Sequence, residues 1–292
     1  MNTGNELWPG GKRVAFLVSI MLETWSDGVA PPYGVQATAV KPGAISHGGI
    51  AWGEYGGKIG IWRILNVLDA FNIKGTFCPN ARSAELYPEA VRRVVQTGHG
   101  LAGHGFYQDK LLTYLSPDEQ RDTIRRSLET LERISGKRPD GWASSVLAWT
   151  PLTVDMLVEE GLLWYGDPTY IDVPQEFVTP KGSVVAIPAS DFSDNRVLRG
   201  SPGTYFDVYK RTFEHLRDTE PMSVLHATLH CHWGGRPVML SVFRELLQYL
   251  KSSDDVWFTS HTEMARYVRQ RSAPIISLDP RANAKQAALQ DA

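Results

Sequence analysis

Arg13-Val-Ala-Phe-Leu-Val-Ser-Ile20 reads as a buried β-strand, and Met21-Leu-Glu23 places a carboxylate just past its end. The run from Val14 to Leu22 is too evenly apolar for a strand with one wet face. With Lys12-Arg13 ahead of it, the run also has the first two regions of a secretory signal. It stops at Glu23, however, with Trp25 and Asp27 close behind, and the Ala-x-Ala at 37–39 lies too far downstream for cleavage. A first strand in a cytoplasmic protein is the expectation. No stretch approaches the roughly 20 apolar residues of a membrane span.

Outward from that strand, the elements alternate. β-Branched and apolar runs at 75–78, 163–166, 184–188, 223–230 and 255–259 read as further strands, with shorter ones at 100–103 and 140–143. Helical patterns lie between them at 59–71, 86–97, 117–136, 151–161, 204–217, 237–251 and 262–270. Ser116-Pro117-Asp118-Glu119 is a capping box with Pro at the first helical position. Strand–helix alternation demands parallel pairing through crossovers. An α/β barrel of seven to eight units is expected, with an open doubly wound sheet as the alternative. The first strand is followed by no Gly-x-Gly-x-x-Gly or phosphate-loop pattern, which removes the usual support for nucleotide binding.

The chain of 292 residues suits one barrel over 1–271 and a tail over 272–292 that is loose or docks on a partner subunit. It is 42% hydrophobic and 21% charged, enough for a large core. Thirty basic against thirty-two acidic residues give a net charge of -2, which excludes nucleic acid and an anionic membrane as main partners. Cys78 and Cys231 alone make no disulfide framework. Residues 24–58 read as a long loop rich in Gly and Pro, with Trp25, Tyr33, Trp52 and Tyr55 available for a lid or an interface arm.

Reactive groups of a parallel barrel sit just past the C-terminal strand ends. Glu23 follows the first strand and His104 the third; Arg138 and Trp142 flank the fourth. Asp167 and Asp172 follow 163–166, Asp191 and Asp194 follow 184–188, and His230 and His232 close 223–230. Period-two alternation puts His226, His230 and His232 on one strand face, and His-x-His is also a metal-ligand spacing. Glu23, at the mouth of a buried strand, is expected to have a raised pKa suited to general-base work. His47 and His261 read as exposed loop residues. Arg236 could orient a substrate carboxylate or pair with an acid.

Several segments, taken in order, resemble the polysaccharide deacetylase (NodB-homology, carbohydrate esterase family 4) superfamily. They are Trp52-Gly-Glu-Tyr-Gly56, Gly60-Ile-Trp-Arg-Ile-Leu65, Gly98-His-Gly-Leu-Ala-Gly-His104-Gly and Gly136-Lys-Arg-Pro-Asp-Gly-Trp142. Tyr165 to Pro174, His230-Cys-His-Trp-Gly-Gly-Arg-Pro237 and Val256-Trp-Phe complete the match. Within the superfamily the chain is most similar to the branch of metal-independent allantoinases and cyclic imide hydrolases. The resemblance implies a distorted (β/α) barrel that hydrolyses carbon–nitrogen bonds. It implies Glu23 at the position of the base, and His230 at that of the histidine assisting the leaving group or the oxyanion. Of the three usual metal positions, Thr24 and Gln108 occupy two and only His104 keeps a strong ligand.

The expected activity is hydrolysis of a small cyclic or linear amide, with Glu23, His104 and His230 catalytic. Trp25, Trp52 and Trp142 would wall the pocket, with Arg138, His232 and Arg236 as further substrate contacts. No cofactor is expected. A divalent metal such as zinc, disfavoured by Thr24 and Gln108, would use Glu23, His104 and His230. The competing readings are a metal-dependent N-deacetylase of sugars and a catalytically silent barrel used for binding. The expected partners are a small-molecule substrate and further copies of the chain in a homo-oligomer.

Overall fold

A computed structural model of the chain describes residues 7–34, 40, 41, 43–220, 222–271 and 275–277. One sheet organises it. In chain order its strands are β1 (Val14–Leu22), β2 (Thr76–Pro79), β3 (Gly100–Gly103), β4 (Gly141–Trp142) and β5 (Trp164–Tyr165). They are followed by β6 (Gln175–Thr179), β7 (Gly182–Ala186), β8 (Ser223–His230), β9 (Val256–Phe258) and β10 (Ile275–Ser277). The spatial order is β10-β6-β7-β5-β4-β3-β2-β1-β8, and β9 also pairs with β1. All pairings are parallel except the β6–β7 hairpin. The sheet curls into the distorted barrel that the alternation implies.

β1 is the axle. It pairs with β8 from Val14 to Met21, with β9 over Val14–Phe16 and with β2 over Ser19–Leu22. Its even residues, Val14, Phe16, Val18, Ile20 and Leu22, pack outward in one cluster with the helices. Its odd residues, including Ala15 and Leu17, face the barrel interior, where they pack with Trp164 and Val185. Parity therefore sends Glu23, the next odd position, to the interior at the mouth. The same rule on β8 turns Leu225, Ala227 and Leu229 outward and leaves His226, Thr228 and His230 facing in. β8 and β7 share no ladder among the described residues. A single bridge from Ser193 to Thr228 spans the gap.

The helices are α1 (His47–Tyr55), α2 (Ile61–Ala70), α3 (Ala81–Leu86), α4 (Pro88–Gln96) and α5 (Pro117–Ser135). They continue with α6 (Pro151–Glu159), α7 (Gly203–Thr219), α8 (Cys231–Gly234), α9 (Pro237–Lys251) and α10 (His261–Gln270). The capping box at Ser116 and Glu119 forms, and α5 ends on Gly136 at φ 77, a left-handed position that costs glycine nothing.

Three expectations need correction. Residues 24–58 are not all loop, because α1 and a π-turn over Gly56–Gly60 occupy their second half. Glycine there serves close approach: a Cβ on Gly60 would overlap the Cys231 carbonyl, so the turn lies directly on α8. β6, which escaped the sequence reading, runs against β7 and breaks the parallel alternation. In the tail, 275–277 add a parallel strand to β6, and its other residues lie outside the described ones. Among the described residues no helix is long and apolar enough to cross a membrane.

Candidate active site

A cavity of about 280 Å³ opens at the C-terminal ends of the strands. Glu23, which is buried, lines it near the mouth. Its Oε1 lies 3.8 Å from His104 Nε2 and 3.7 Å from His230 Nε2, and its Oε2 lies 3.7 Å from His232 Nδ1. Residues from β1, β3 and β8, far apart in sequence, thus converge on one carboxylate. The Tyr33 hydroxyl donates to Oε2 at 2.8 Å, which leaves Oε1 facing His104 and His230.

Each imidazole is held differently. Asp194, fully buried, accepts from the backbone N–H of His230 at 2.8 Å and from its Nδ1 at 2.6 Å. Burial alone would lower the His230 pKa, but the carboxylates of Asp194 and then Glu23 override it and raise it to about 9. His230 is therefore an imidazolium near neutral pH, with Nε2–H toward Glu23. His104 Nδ1 lies 2.6 Å from the Ala143 carbonyl, which assigns the proton to Nδ1 and turns Nε2 to Glu23. His232 is neutral, pushed down to about 3 by burial; its Nε2 approaches the Tyr33 oxygen at 3.3 Å.

This corrects the expectation for Glu23. Burial does press its pKa upward, but the His230 imidazolium, His104 and His232 outweigh that and hold it at about 2. The resting site is an ion pair, carboxylate against imidazolium. His232 is also placed by a different route than strand alternation. β8 ends at His230, and His232 reaches Glu23 from the helical turn α8.

Other candidates lie away from the cavity. Arg138 is on the surface, paired with Glu132 and Glu160. Trp142 is fully buried on the helix-facing side of β4, its Nε1 donating to Ser144 Oγ. Arg236 stacks on Tyr55 at 4.2 Å and donates to the His232 carbonyl, so it clamps α1 to α8. Trp25 and Trp52 stand behind the site, 5.6 and 4.8 Å from the His232 ring, and do not line the cavity.

Several residues that do shape the cavity were not assigned from sequence. Tyr33 could be recognised only as one aromatic in a long loop, and Asp194 only as an acid past a strand end. Deeper in, Ser19, Trp164, Thr228, His226 and His261 form the floor. His261 is buried, not exposed: its Nδ1 lies 2.9 Å from Thr76 Oγ1 and its Nε2 3.3 Å from Ser19 Oγ. Ser19 Oγ lies 2.8 Å from His226 Nε2, whose ring bonds the Pro188 carbonyl through Nδ1. Burial depresses both pKa values, so this floor is polar and uncharged. At the rim, Val146 and Leu147 adopt left-handed backbone at φ 47 and 55, a strained conformation for a β-branched residue.

The usual metal positions do not fit a metal. Thr24 Oγ1 is bonded to Ser83 Oγ at 2.7 Å, and Gln108 Oε1 accepts from Ser145 Oγ at 2.9 Å. Both are neutral oxygens already engaged, and neither is a strong ligand for a divalent ion such as zinc. Among the described residues no group of three His, Cys, Asp or Glu is placed to hold a metal ion.

The polysaccharide deacetylase family matches residues 55–163. A peptidoglycan deacetylase of Helicobacter pylori is 22% identical over 275 residues, covering 80% of this chain and 94% of that protein. The structure of PuuE allantoinase superposes with a TM-score of 0.82 at 26% identity, covering 91% of this chain and 93% of that one. A probable polysaccharide deacetylase from Pseudomonas aeruginosa PAO1 gives 0.81 at 25% identity, over 91% and 94% of the two chains.

Proposed function

We propose that the chain, which is similar to the polysaccharide deacetylase family over residues 55–163, to a peptidoglycan deacetylase and to an allantoinase, hydrolyses a carbon–nitrogen bond other than a peptide bond and opens a small cyclic or linear amide without a bound metal. The observation that carries this reading is the Glu23–His230 ion pair, backed by Asp194, at the mouth of a cavity of about 280 Å³. That volume suits one small ring better than a polysaccharide chain.

Glu23 Oε1 takes a proton from the attacking water as the water oxygen bonds to the amide carbon. The His230 imidazolium stabilises the oxyanion, with the His104 ring beside it. On collapse the carbon–nitrogen bond breaks and the nitrogen takes the His230 proton. Glu23 then returns its proton to His230 across 3.7 Å, restoring the ion pair. A carboxylate at about 2 is a weak base, and the His230 charge is the largest of the interactions that hold it there. Proton transfer from His230 to the leaving nitrogen removes that attraction, so the proton Glu23 has taken is held more firmly until His230 recovers it.

The test is a substrate screen with hydantoins, cyclic imides, allantoin and N-acetylated sugars, using protein stripped by chelation and verified by elemental analysis. Ring opening by metal-free protein is the expected result. Sugar deacetylation that needs a restored divalent ion would replace this reading with a metal-dependent one.

A further inference from the structure

Among the residues lining the cavity, one side chain carries a fixed positive charge: Arg196. It sits on the 3-10 turn Asp194–Val197, two residues after the carboxylate that grips His230. Its side chain makes no ion pair or hydrogen bond with the described residues and is exposed. The arginine to which sequence reasoning gave a substrate-holding role, Arg236, is committed to the Tyr55 ring and the His232 carbonyl.

The surroundings of Arg196 match an anion. Neighbouring Asn195 lines the same wall, and its Oδ1 accepts from Ser193 Oγ at 2.6 Å, which leaves its Nδ2 hydrogens as donors. The lining carboxylate, Glu23, is already balanced by His230. Val146 and Leu147, both exposed and apolar, line the same cavity and offer a surface for the flat face of a ring. The floor is polar but uncharged, so an anionic group finds its partner at the rim.

The geometry points to Arg196 as a specificity-determining residue: the substrate is an amide carrying a carboxylate remote from the scissile bond, held by the Arg196 guanidinium with Asn195 beside it. This rests on the amide-hydrolase reading above and narrows its substrate class. Arginine suits the task because its planar fork meets a carboxylate with two parallel hydrogen bonds. The exposure of the site keeps the effect moderate and makes it sensitive to salt.

The test pairs neutral rings with carboxylate-bearing counterparts, such as hydantoin with hydantoin-5-acetic acid and dihydrouracil with dihydroorotate. Binding is measured by calorimetry on Glu23→Gln protein, so that it does not depend on turnover, and KM and kcat are measured on protein with Glu23 intact. The acid forms should bind roughly 10- to 100-fold more tightly than the neutral ones, a charge-assisted hydrogen-bond effect. Arg196→Gln should remove that preference, Arg196→Lys should keep part of it, and high salt should shrink it. Arg199→Gln, an exposed change off the cavity lining, should do nothing. In turnover, Arg196→Gln should raise KM for the acids and leave kcat unchanged. A missing preference, or one that survives Arg196→Gln, overturns the inference while ring opening still stands. Arg196-dependent binding without turnover of any amide would instead sink the hydrolase reading.

Discussion

Asp194 grips His230 twice, through the backbone N–H at 2.8 Å and Nδ1 at 2.6 Å, so one carboxylate sets both the position and the charge of the imidazole. Asp194→Asn keeps the shape and removes the charge. The His230 pKa should fall from about 9, since burial then acts against less opposition. Turnover at pH 8 should drop on the order of 10²–10⁴, the usual worth of a general acid. The alkaline limb of the rate profile should move to lower pH. A variant with normal turnover and an unmoved limb would show that Asp194 only braces the fold.

Glu23→Gln should lose a similar factor, about 10²–10⁴ in kcat, with the fold intact. The unsubstituted enzyme should show a flat rate profile bounded near pH 2 and pH 9, the pKa values of the pair. The stability signs oppose each other. Glu23 is depressed from 4.5 to about 2, so its contribution is full above 4.5 and lost as pH falls toward 2. His230 is raised from 6.5 to about 9, so its contribution is full below 6.5 and lost as pH rises through 9. The pair should therefore stabilise most between about 4.5 and 6.5, a window that denaturant titrations across pH would reveal.

Tyr33→Phe removes the hydroxyl that fixes Glu23 Oε2. The ring still fills its place against Trp25 and Trp52, so the fold should hold. We expect roughly a tenfold fall in kcat/KM from the loss of one hydrogen bond to a charged group. An unchanged rate would mean that the three imidazoles alone orient the carboxylate.

Asp167 is buried, with one oxygen accepting from the Ser144 N–H at 2.7 Å and the other unpartnered. Burial raises its pKa from 3.8 to about 6. The folded protein therefore loses stability as pH climbs through that interval. Asp167→Asn escapes the loss and should be more stable at pH 8 by up to about 3 kcal/mol, with no gain at pH 4. Thermal melts at both pH values check this; equal shifts would mean a packing effect.

Side-chain parity explains how much could be read in the sequence. Glu23, His104 and His230 each sit at or just past the end of a strand whose apolar pattern fixes which residues face in. Arg138 and Trp142 flank a strand end too, but β4 has only two residues, too few for parity to show that Trp142 faces the helices. Tyr33 and Asp194 escaped assignment because their roles are purely long-range: each contacts a histidine brought in by β8 or α8. The Glu23 pKa was misjudged in sign for the same reason. Burial is local and legible, whereas the imidazolium that outweighs it depends on Asp194.

The unladdered seam between β7 and β8 runs along the cavity wall. There the chain from Pro188 to Ser193 is joined to β8 by individual bonds: the Ser190 hydroxyl to the His226 carbonyl, His226 Nδ1 to the Pro188 carbonyl, the Ser193–Thr228 bridge, and the Tyr209 hydroxyl of α7, which donates to the carbonyls of both Phe192 and His226. A ladder resists separation as a unit, but separate side-chain bonds can be exchanged one at a time. This makes the seam the compliant line of an otherwise stiff wall. Asp194 and Arg196 lie just beyond it on one 3-10 turn, so the residue that aims His230 and the residue offered to a ligand hang from the same line.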